Sequence, residues 1–214
     1  EESDTPTVNE EEENYGVIQV PENIDFVLKS SITTVKMMDL TINNVAGDII
    51  VRNGIVNLSD LNFKLLEGQF AVNGSYNAKD KAKPAYDFKL GINNLSIQKA
   101  FQNFEIIKKY VPVANTIDGD FSTDFNVSGL LDQAMMPDLA TISGGGLVEI
   151  AKAAMDGSNS KIISGITSLT SLSNTQKVLL DNVKMKASIE DGKLKVEPFD
   201  VKFGDYKTTI SGTT

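Results

Sequence analysis

The sequence NGIVNLSDLNFKLLEGQFAVNG runs from Asn53 to Gly74, and its pattern of residue types recurs as DGKLKVEPFDVKFGDYKTTISG from Asp191 to Gly212. Each copy opens with Asn-Gly or Asp-Gly, dipeptides that tolerate the two positive φ angles of a tight hairpin turn. Each copy then alternates apolar and polar residues with period two, which is typical of half-buried strands. The two stretches therefore predict a duplicated β-meander, entered through equivalent hairpin turns.

Within each copy the apolar residues switch twice between even-numbered and odd-numbered positions. In the first copy the changes fall at Ser59-Asp60 and Glu67-Gly68, and the second copy has Glu197-Pro198 and Gly204-Asp205 at the matching places. A strand keeps one face only while its parity is kept, so each change requires a bulge or a turn. Proline cannot donate to a strand ladder, which supports a break at residue 198.

Outside the repeat, two more strands alternate strongly, at Tyr86–Ile92 and Phe121–Val127, whereas the pattern at Ile24–Leu40 is mixed. A helix is predicted at Ser96–Tyr110, with Ser96 as its N-cap and Pro112 ending it. A second helix is predicted at Ser158–Leu172 and a short helical turn at Pro137–Ile142.

The composition indicates a globular protein that has an acidic start. The chain has 214 residues, of which 41% are hydrophobic, enough for a core. Seven of its acidic residues lie before Asn14 with no basic residue among them, so the net charge of −9 leaves only −2 for the rest. Residues 1–14 are therefore interpreted as an acidic linker and residues 15–214 as a single β-rich domain, part of a longer protein.

Composition also argues against most kinds of chemistry. The chain has no cysteine and no histidine, which removes thiolate nucleophiles, the commonest transition-metal ligands and the usual proton shuttle near neutral pH. It has no stripe of Lys or Arg for nucleic acid and no 18-residue apolar run to span a bilayer. We predict that the protein is not an enzyme and has no cofactor.

Two short motifs were weighed as ligand sites. Asp118-Gly119-Asp120 with Asp124 offers oxygen ligands for calcium, but the glycine lies between the aspartates and no Glu closes the loop, so a hairpin turn is favoured. Gly144-Gly145-Gly146 lacks the following Lys of a phosphate-binding loop, which favours a loop or the start of a strand. No metal site is predicted.

The alternating apolar faces leave two interpretations open. They form either an ordinary core between sheet and helices or, in part, an open groove for acyl chains. Two helices of modest length are too few to cover eight to ten strands, and a large uncovered apolar face normally has a ligand or partner. The predicted fold class is α+β: a mostly antiparallel, twisted or curled β-sheet of repeated meanders, with two or three helices capping a face or an end.

The run from Asn53 to Tyr76 resembles the AsmA-like C-terminal region. So does the order of elements after it: a strand led by Pro84, a helix at Ser96–Tyr110, a strand from Asp118 to Gly129, then Pro137-Asp138-Leu139 and the three glycines, and finally the second copy of the meander. The resemblance covers nearly the whole chain except its acidic start.

This resemblance implies a Gram-negative envelope protein with a periplasmic body and an inner-membrane anchor outside the present sequence. Its function would lie in outer-membrane assembly, within a β-groove similar to that of bridge-like lipid-transfer proteins. The implied partners are phospholipid and other envelope proteins, and the family offers no catalytic motif. The implied lipid-facing residues share apolar positions in the strands: Phe63, Leu65, Phe70, Val72, Phe88, Leu90, Phe125, Val201, Phe203 and Ile210.

The alternative to lipid binding is a structural or protein-interaction module of an outer-membrane assembly factor. Its sheet would be fully covered, and its edges or acidic tail would dock another protein. Coverage of the apolar face distinguishes the two functions.

Overall fold

The computed structural model describes residues 16–37, 39–155, 178–203 and 206–213, and places them in one antiparallel sheet of ten strands. The predicted helix at Ser158–Leu172, the turn at Gly204-Asp205 and the acidic linker lie outside the described residues. The strands are β1 (Asp25–Met37), β2 (Leu40–Arg52), β3 (Ile55–Leu65), β4 (Gly68–Asn77), β5 (Ala85–Ser96), β6 (Ile117–Leu130), β7 (Ser143–Met155), β8 (Val178–Glu190), β9 (Lys193–Phe203) and β10 (Tyr206–Thr213).

Each strand pairs with its neighbour in the sequence, so the sheet is a continuous meander from β1 to β10. Among the described residues β1 and β10 are the two edges and do not pair with each other, which leaves the sheet open. Between β5 and β6 lie α1 (Ile97–Asn103), α2 (Glu105–Tyr110) and a 3₁₀ helix at Pro112–Thr116. The predicted fold class, a mostly antiparallel meander with few helices, is confirmed.

The duplication extends further than the sequence pattern indicated. β2 and β8 both have 13 residues, and β3 and β9 both have 11. The first residues of β2 and β8, of β3 and β9, and of β4 and β10 are each separated by 138 positions (40 to 178, 55 to 193, 68 to 206). The hairpin residues Asn53 and Gly54 have φ of 52° and 73°, and Asp191 and Gly192 have φ of 48° and 71°. The predicted equivalent turns are therefore confirmed.

β1 and β7 belong to the same duplication. Both have 13 residues, and they pair with β2 and β8 in the same register, Phe26 with Val51 and Gly144 with Ile189. Asn44 in β2 and Asn182 in β8 both have positive φ, 55° and 50°. β1–β4 and β7–β10 are thus two equivalent four-stranded units, with β5 and β6 between them.

The predicted breaks within the repeat are confirmed where the structure describes them. The pairing of β3 with β4 shifts between Leu58 and Leu61, and Asp60 there has φ of 49°. The pairing of β9 with β10 skips from Phe199 to Val196, around Pro198. The turn at Glu67-Gly68 joins β3 to β4, with positive φ at Leu66 and Glu67.

The single helix predicted at Ser96–Tyr110 is wrong in one respect, because it is broken at Phe104. The backbone of Phe104 is extended, with φ of −118° and ψ of 110°. The Phe104 N–H ends α1 by donating to the Ala100 carbonyl oxygen at 2.9 Å, and the Phe104 carbonyl oxygen begins α2 by accepting from the Ile107 N–H at 3.0 Å. Ser96 does cap α1, by accepting from the Lys99 N–H at 3.3 Å.

Two turn predictions are also wrong. Asp118-Gly119-Asp120 lies inside β6, where Gly119 has φ of 152° and a Cβ would come within 2.5 Å of the Cβ of Ala153, so the glycine serves close strand pairing and not a hairpin. Pro137–Ile142 is not helical, because the Asp138 carboxylate accepts from the Ala140 N–H and closes a local turn. The three glycines lie at the start of β7, as predicted.

Candidate functional site

One face of the sheet is apolar across most of its width. Residues directly opposite each other in neighbouring strands project from the same face, so the register defines rows of side chains. Three rows cross this face: Leu28–Ile49–Leu58–Gly74–Phe88–Val127–Gly144–Ile189–Leu194, Leu61–Val72–Leu90–Phe125–Gly146–Ala187–Val196, and Phe63–Phe70–Ile92–Thr123–Val148–Met185. None of these residues is charged, and we call their surface the apolar face.

The opposite face is polar. One of its rows is Asn73–Lys89–Asn126–Gly145–Ser188–Lys195, and another is Asn57–Ser75–Asp87–Ser128–Ser143. This contrast follows from the period-two pattern of the sequence, because successive side chains of a strand point to opposite faces. Across β3 to β9 one face of the described sheet is therefore mainly apolar and the other mainly polar.

The helical connection covers the apolar face on one side of the sheet. Ile97 of α1 and Ala114 of the 3₁₀ helix belong to one buried cluster with Ile150, Val183 and Val201 of the strands. The partly buried residues packed against that cluster come from the helical segment and from β6, β8, β9 and β10. We call residues 97–116 the roof, because they lie over this part of the sheet.

Five of the ten predicted lipid-facing residues lie together outside the roof cluster. They are half-buried on adjacent strands β3 to β6, and we call them the open patch: Phe63, Phe70, Phe88, Leu90 and Phe125. The rings of Phe63 and Phe70 stack with centroids 5.1 Å apart, and Phe88 stacks on Tyr86 at 6.0 Å. These side chains form a continuous aromatic and aliphatic surface.

The other five predicted residues are placed differently. Leu65 and Val72 are buried, and Val201 is buried in the roof cluster with Ile210 packed against it. The side chain of Phe203 lies outside the described part of the chain. These two groups could not be separated from the sequence, because alternation shows which face a residue shares and not what lies over it.

The sequence reasoning did not single out several residues that extend the open patch. Ile92, Leu61 and Val127 lie in the same rows and are half-buried. Phe26 and Leu28 of β1 continue the apolar face to the edge of the sheet, where each is 45% exposed. Apolar residues at even-numbered positions, Phe26, Leu28 and Ile32, are the sequence feature that indicates strand β1. Val27 and Val35 are also apolar but lie at the intervening positions, so the alternation is hard to recognise.

Two tyrosines lie at the end of the apolar face where β4 ends and β5 begins. Burial raises the pKa of Tyr86 above 10.0, with smaller contributions from Tyr110 and Asp138. Burial likewise raises the pKa of Tyr76, whose hydroxyl donates to the Ile18 carbonyl oxygen at 2.8 Å. Both phenols therefore stay neutral at physiological pH, and neither adds charge to the face.

Tyr110 fastens the end of the roof to the sheet. Its hydroxyl donates to the Gly192 carbonyl oxygen at 2.9 Å and lies 3.5 Å from the Leu139 carbonyl oxygen, and the side chain is buried. Gly192 belongs to the β8–β9 hairpin and Leu139 to the loop between β6 and β7. A single hydroxyl thus holds α2 against two connections of the sheet.

We expect Tyr110→Phe to lower the free energy of unfolding by about 1 kcal/mol, the net value of one buried hydrogen bond. Amide exchange in α2 should accelerate more than exchange in β3 and β4, because the lost contact joins α2 to the β8–β9 hairpin and does not involve β3 or β4. Urea unfolding and hydrogen exchange by mass spectrometry measure the two effects. An unchanged stability together with unchanged exchange in α2 would show that the hydroxyl does not fasten the roof.

Among the described residues, no three Asp or Glu side chains gather as a metal site would need, and no helix has the length and hydropathy to cross a membrane. Comparison of the chain with protein-family models, with curated proteins and with solved structures finds no match.

Proposed function

We propose that the open patch binds the acyl chains of phospholipids, and that the protein is a non-enzymatic envelope component whose sheet forms part of a periplasmic lipid-conducting groove in outer-membrane assembly. The observation that carries the proposal is the incomplete cover of the apolar face. The roof packs over one side of the face. The stacked rings of Phe63 and Phe70, and the rest of the open patch, lie outside the roof cluster and are only half-buried.

The chemistry of the open patch suits an acyl chain. Its rows carry no charge and only one hydroxyl, on Thr123, so nothing in them would select a headgroup. Each buried methylene contributes about 0.8 kcal/mol, and sheltering a few of them would retain a lipid during purification. Continuous apolar rows without polar anchors also allow a chain to slide, which conduction along a groove requires.

The envelope location, the inner-membrane anchor and the role in outer-membrane assembly rest on the resemblance of the Asn53–Tyr76 run and the following elements to the AsmA-like C-terminal region. The meander with one apolar face agrees with that resemblance. A sheet of ten strands spaced by about 4.8 Å is roughly 45 Å wide, so a single such sheet would serve as a segment of a longer groove.

Native mass spectrometry of the chain, purified from a Gram-negative bacterium without detergent, tests the proposal. We expect mass additions of one or more phospholipids, identified by extraction, and uptake of phospholipid from liposomes by a delipidated sample. A protein that stays free of lipid in repeated preparations and takes up none from liposomes would contradict lipid binding and favour a protein-interaction module.

A further inference from the structure

One edge of β1 has no partner strand among the described residues and is suited to pairing with another strand. β1 has 13 residues, pairs only with β2 among the described residues, and keeps an unbroken register with it. Sheet edges are normally protected by short strands, prolines, bulges or charged side chains, especially lysines. β1 is long and has no proline and no register shift against β2, so its protection consists of Lys29 and Lys36, which an acidic strand would neutralise. Its apolar side chains are exposed on both faces, since Val27 is 50% exposed and Phe26 and Leu28 are 45% exposed.

The duplication shows what kind of strand fits this edge. β1 is equivalent to β7, because the two strands have the same length and the same register against β2 and β8. The outer edge of β7 is occupied by β6, which runs antiparallel to it. β6 lies so close to β7 that a Cβ at Gly144 or Gly146 would come within 2.0 Å of the Asn126 or Asp124 carbonyl oxygen. β1 has Phe26 and Leu28 at these positions, so β6 is a guide to the direction and register of a strand at β1 and not to its spacing.

If a strand with the sequence of β6 paired with β1 in the register in which β6 pairs with β7, its carboxylates would lie opposite lysines of β1. Asp118 pairs with Ala154 and Asp124 with Leu147, and the equivalent residues of β1 are Lys36 and Lys29. Both lysines are exposed, and neither forms an ion pair within the described part of the chain. Opposite charges directly across an antiparallel pair stabilise it, so the edge favours a strand with carboxylates at these two places. The effect is expected to be larger at Lys36, which lies opposite Thr41 of β2, than at Lys29, which already lies opposite Asp48.

We infer that the edge of β1 binds an extended, antiparallel segment of a partner protein that alternates apolar residues with carboxylates placed opposite Lys29 and Lys36. Backbone hydrogen bonds supply affinity and the two lysines set the register, as in other cases of strand addition. The segment lies at ordinary strand spacing from β1. The close approach of β6 to β7 needs Gly144 and Gly146, and β1 has Phe26 and Leu28 at the equivalent positions. Its apolar residues extend the apolar face by one strand.

A peptide with the sequence of residues 117–130, IDGDFSTDFNVSGL, is the probe for this edge. We expect the complete chain to be a monomer that binds the peptide, with slower hydrogen exchange at alternate amides of β1 and no change in β10. Replacing Asp118 and Asp124 of the peptide by Lys should weaken binding about fivefold to tenfold. Replacing Lys29 and Lys36 of the chain by Glu should restore binding of that altered peptide, which a nonspecific apolar contact would not do.

Three results would overturn the inference. The first is a peptide that leaves β1 unprotected or protects β10 instead. The second is a dimer of the chain with β1 protected before any peptide is added, which would identify a second copy as the occupant. The third is a free monomer in which the amides of β1 all exchange slowly, because the chain would then cover this edge itself. Phospholipid content is measured on the same samples, so that loss of lipid binding is distinguished from loss of strand binding.

Discussion

Replacing Phe63 and Phe125 together by Asp is expected to reduce the phospholipid bound to the chain about tenfold or more. Both side chains lie in the open patch, half-buried and outside the roof cluster. A carboxylate beside an acyl chain must lose water or take up a proton, at a cost of a few kcal/mol, and about 1.4 kcal/mol already corresponds to tenfold in affinity. Native mass spectrometry and liposome uptake measure the loss.

The matched control introduces the same charges into the same two strands on the other face. Asn57 of β3 and Asn126 of β6 are exposed on the polar face, so Asn57→Asp with Asn126→Asp adds two carboxylates without touching the open patch. Circular dichroism should show a folded sheet for both variants, and only the Phe variant should lose lipid. Equal lipid content in the two variants would contradict binding at the open patch.

The second large effect is expected for Gly74→Ala, which should lower the free energy of unfolding by about 3 to 5 kcal/mol. Gly74 has φ of 145°, which L side chains rarely adopt. A Cβ there would lie 2.1 Å from the Asp87 carbonyl oxygen and 2.7 Å from the Phe88 Cα, both backbone atoms of β5. Neither atom can move without disturbing the β4–β5 pairing, and urea unfolding measures the cost.

The duplication provides the control for this substitution. Gly212 is the equivalent of Gly74 in β10, but apart from its chain neighbours no atom of the described residues lies within 4 Å of a Cβ built there. Gly212→Ala should therefore change stability by no more than about 0.5 kcal/mol. Similar losses of unfolding free energy for both variants would mean that the backbone conformation of the strand requires the glycine and that the contact with β5 does not.

The open patch and the β1 edge are separate parts of one sheet. The open patch lies on β3 to β6, whereas the edge is two strands away, and the rows of the apolar face connect them through Leu28, Ile49 and Leu58. A strand added at β1 would thus lengthen the surface that we propose for acyl chains. Lipid binding and strand docking can therefore occur in the same molecule.

The amino-acid sequence determined the local features of this fold. Asn53-Gly54 and Asp191-Gly192 set the two hairpin turns, because the backbone at these residues needs positive φ. Alternation in β3, β5 and β6 placed their apolar residues on one face, because the side-chain period of a strand is two. The Ser96 cap begins α1, and α2 ends at Tyr110 shortly before Pro112, for equally local reasons.

Other features depended on contacts between distant residues. The place of Asp118-Gly119-Asp120 within β6 and the equivalence of β1 with β7 both follow from strand pairing that no short window of sequence contains. The division of the apolar face was decided in the same way. Val201 and Phe63 have similar sequence patterns, but the roof covers only Val201, because the position of the roof is set by its packing on β6 to β10 and by the Tyr110 contact with Gly192.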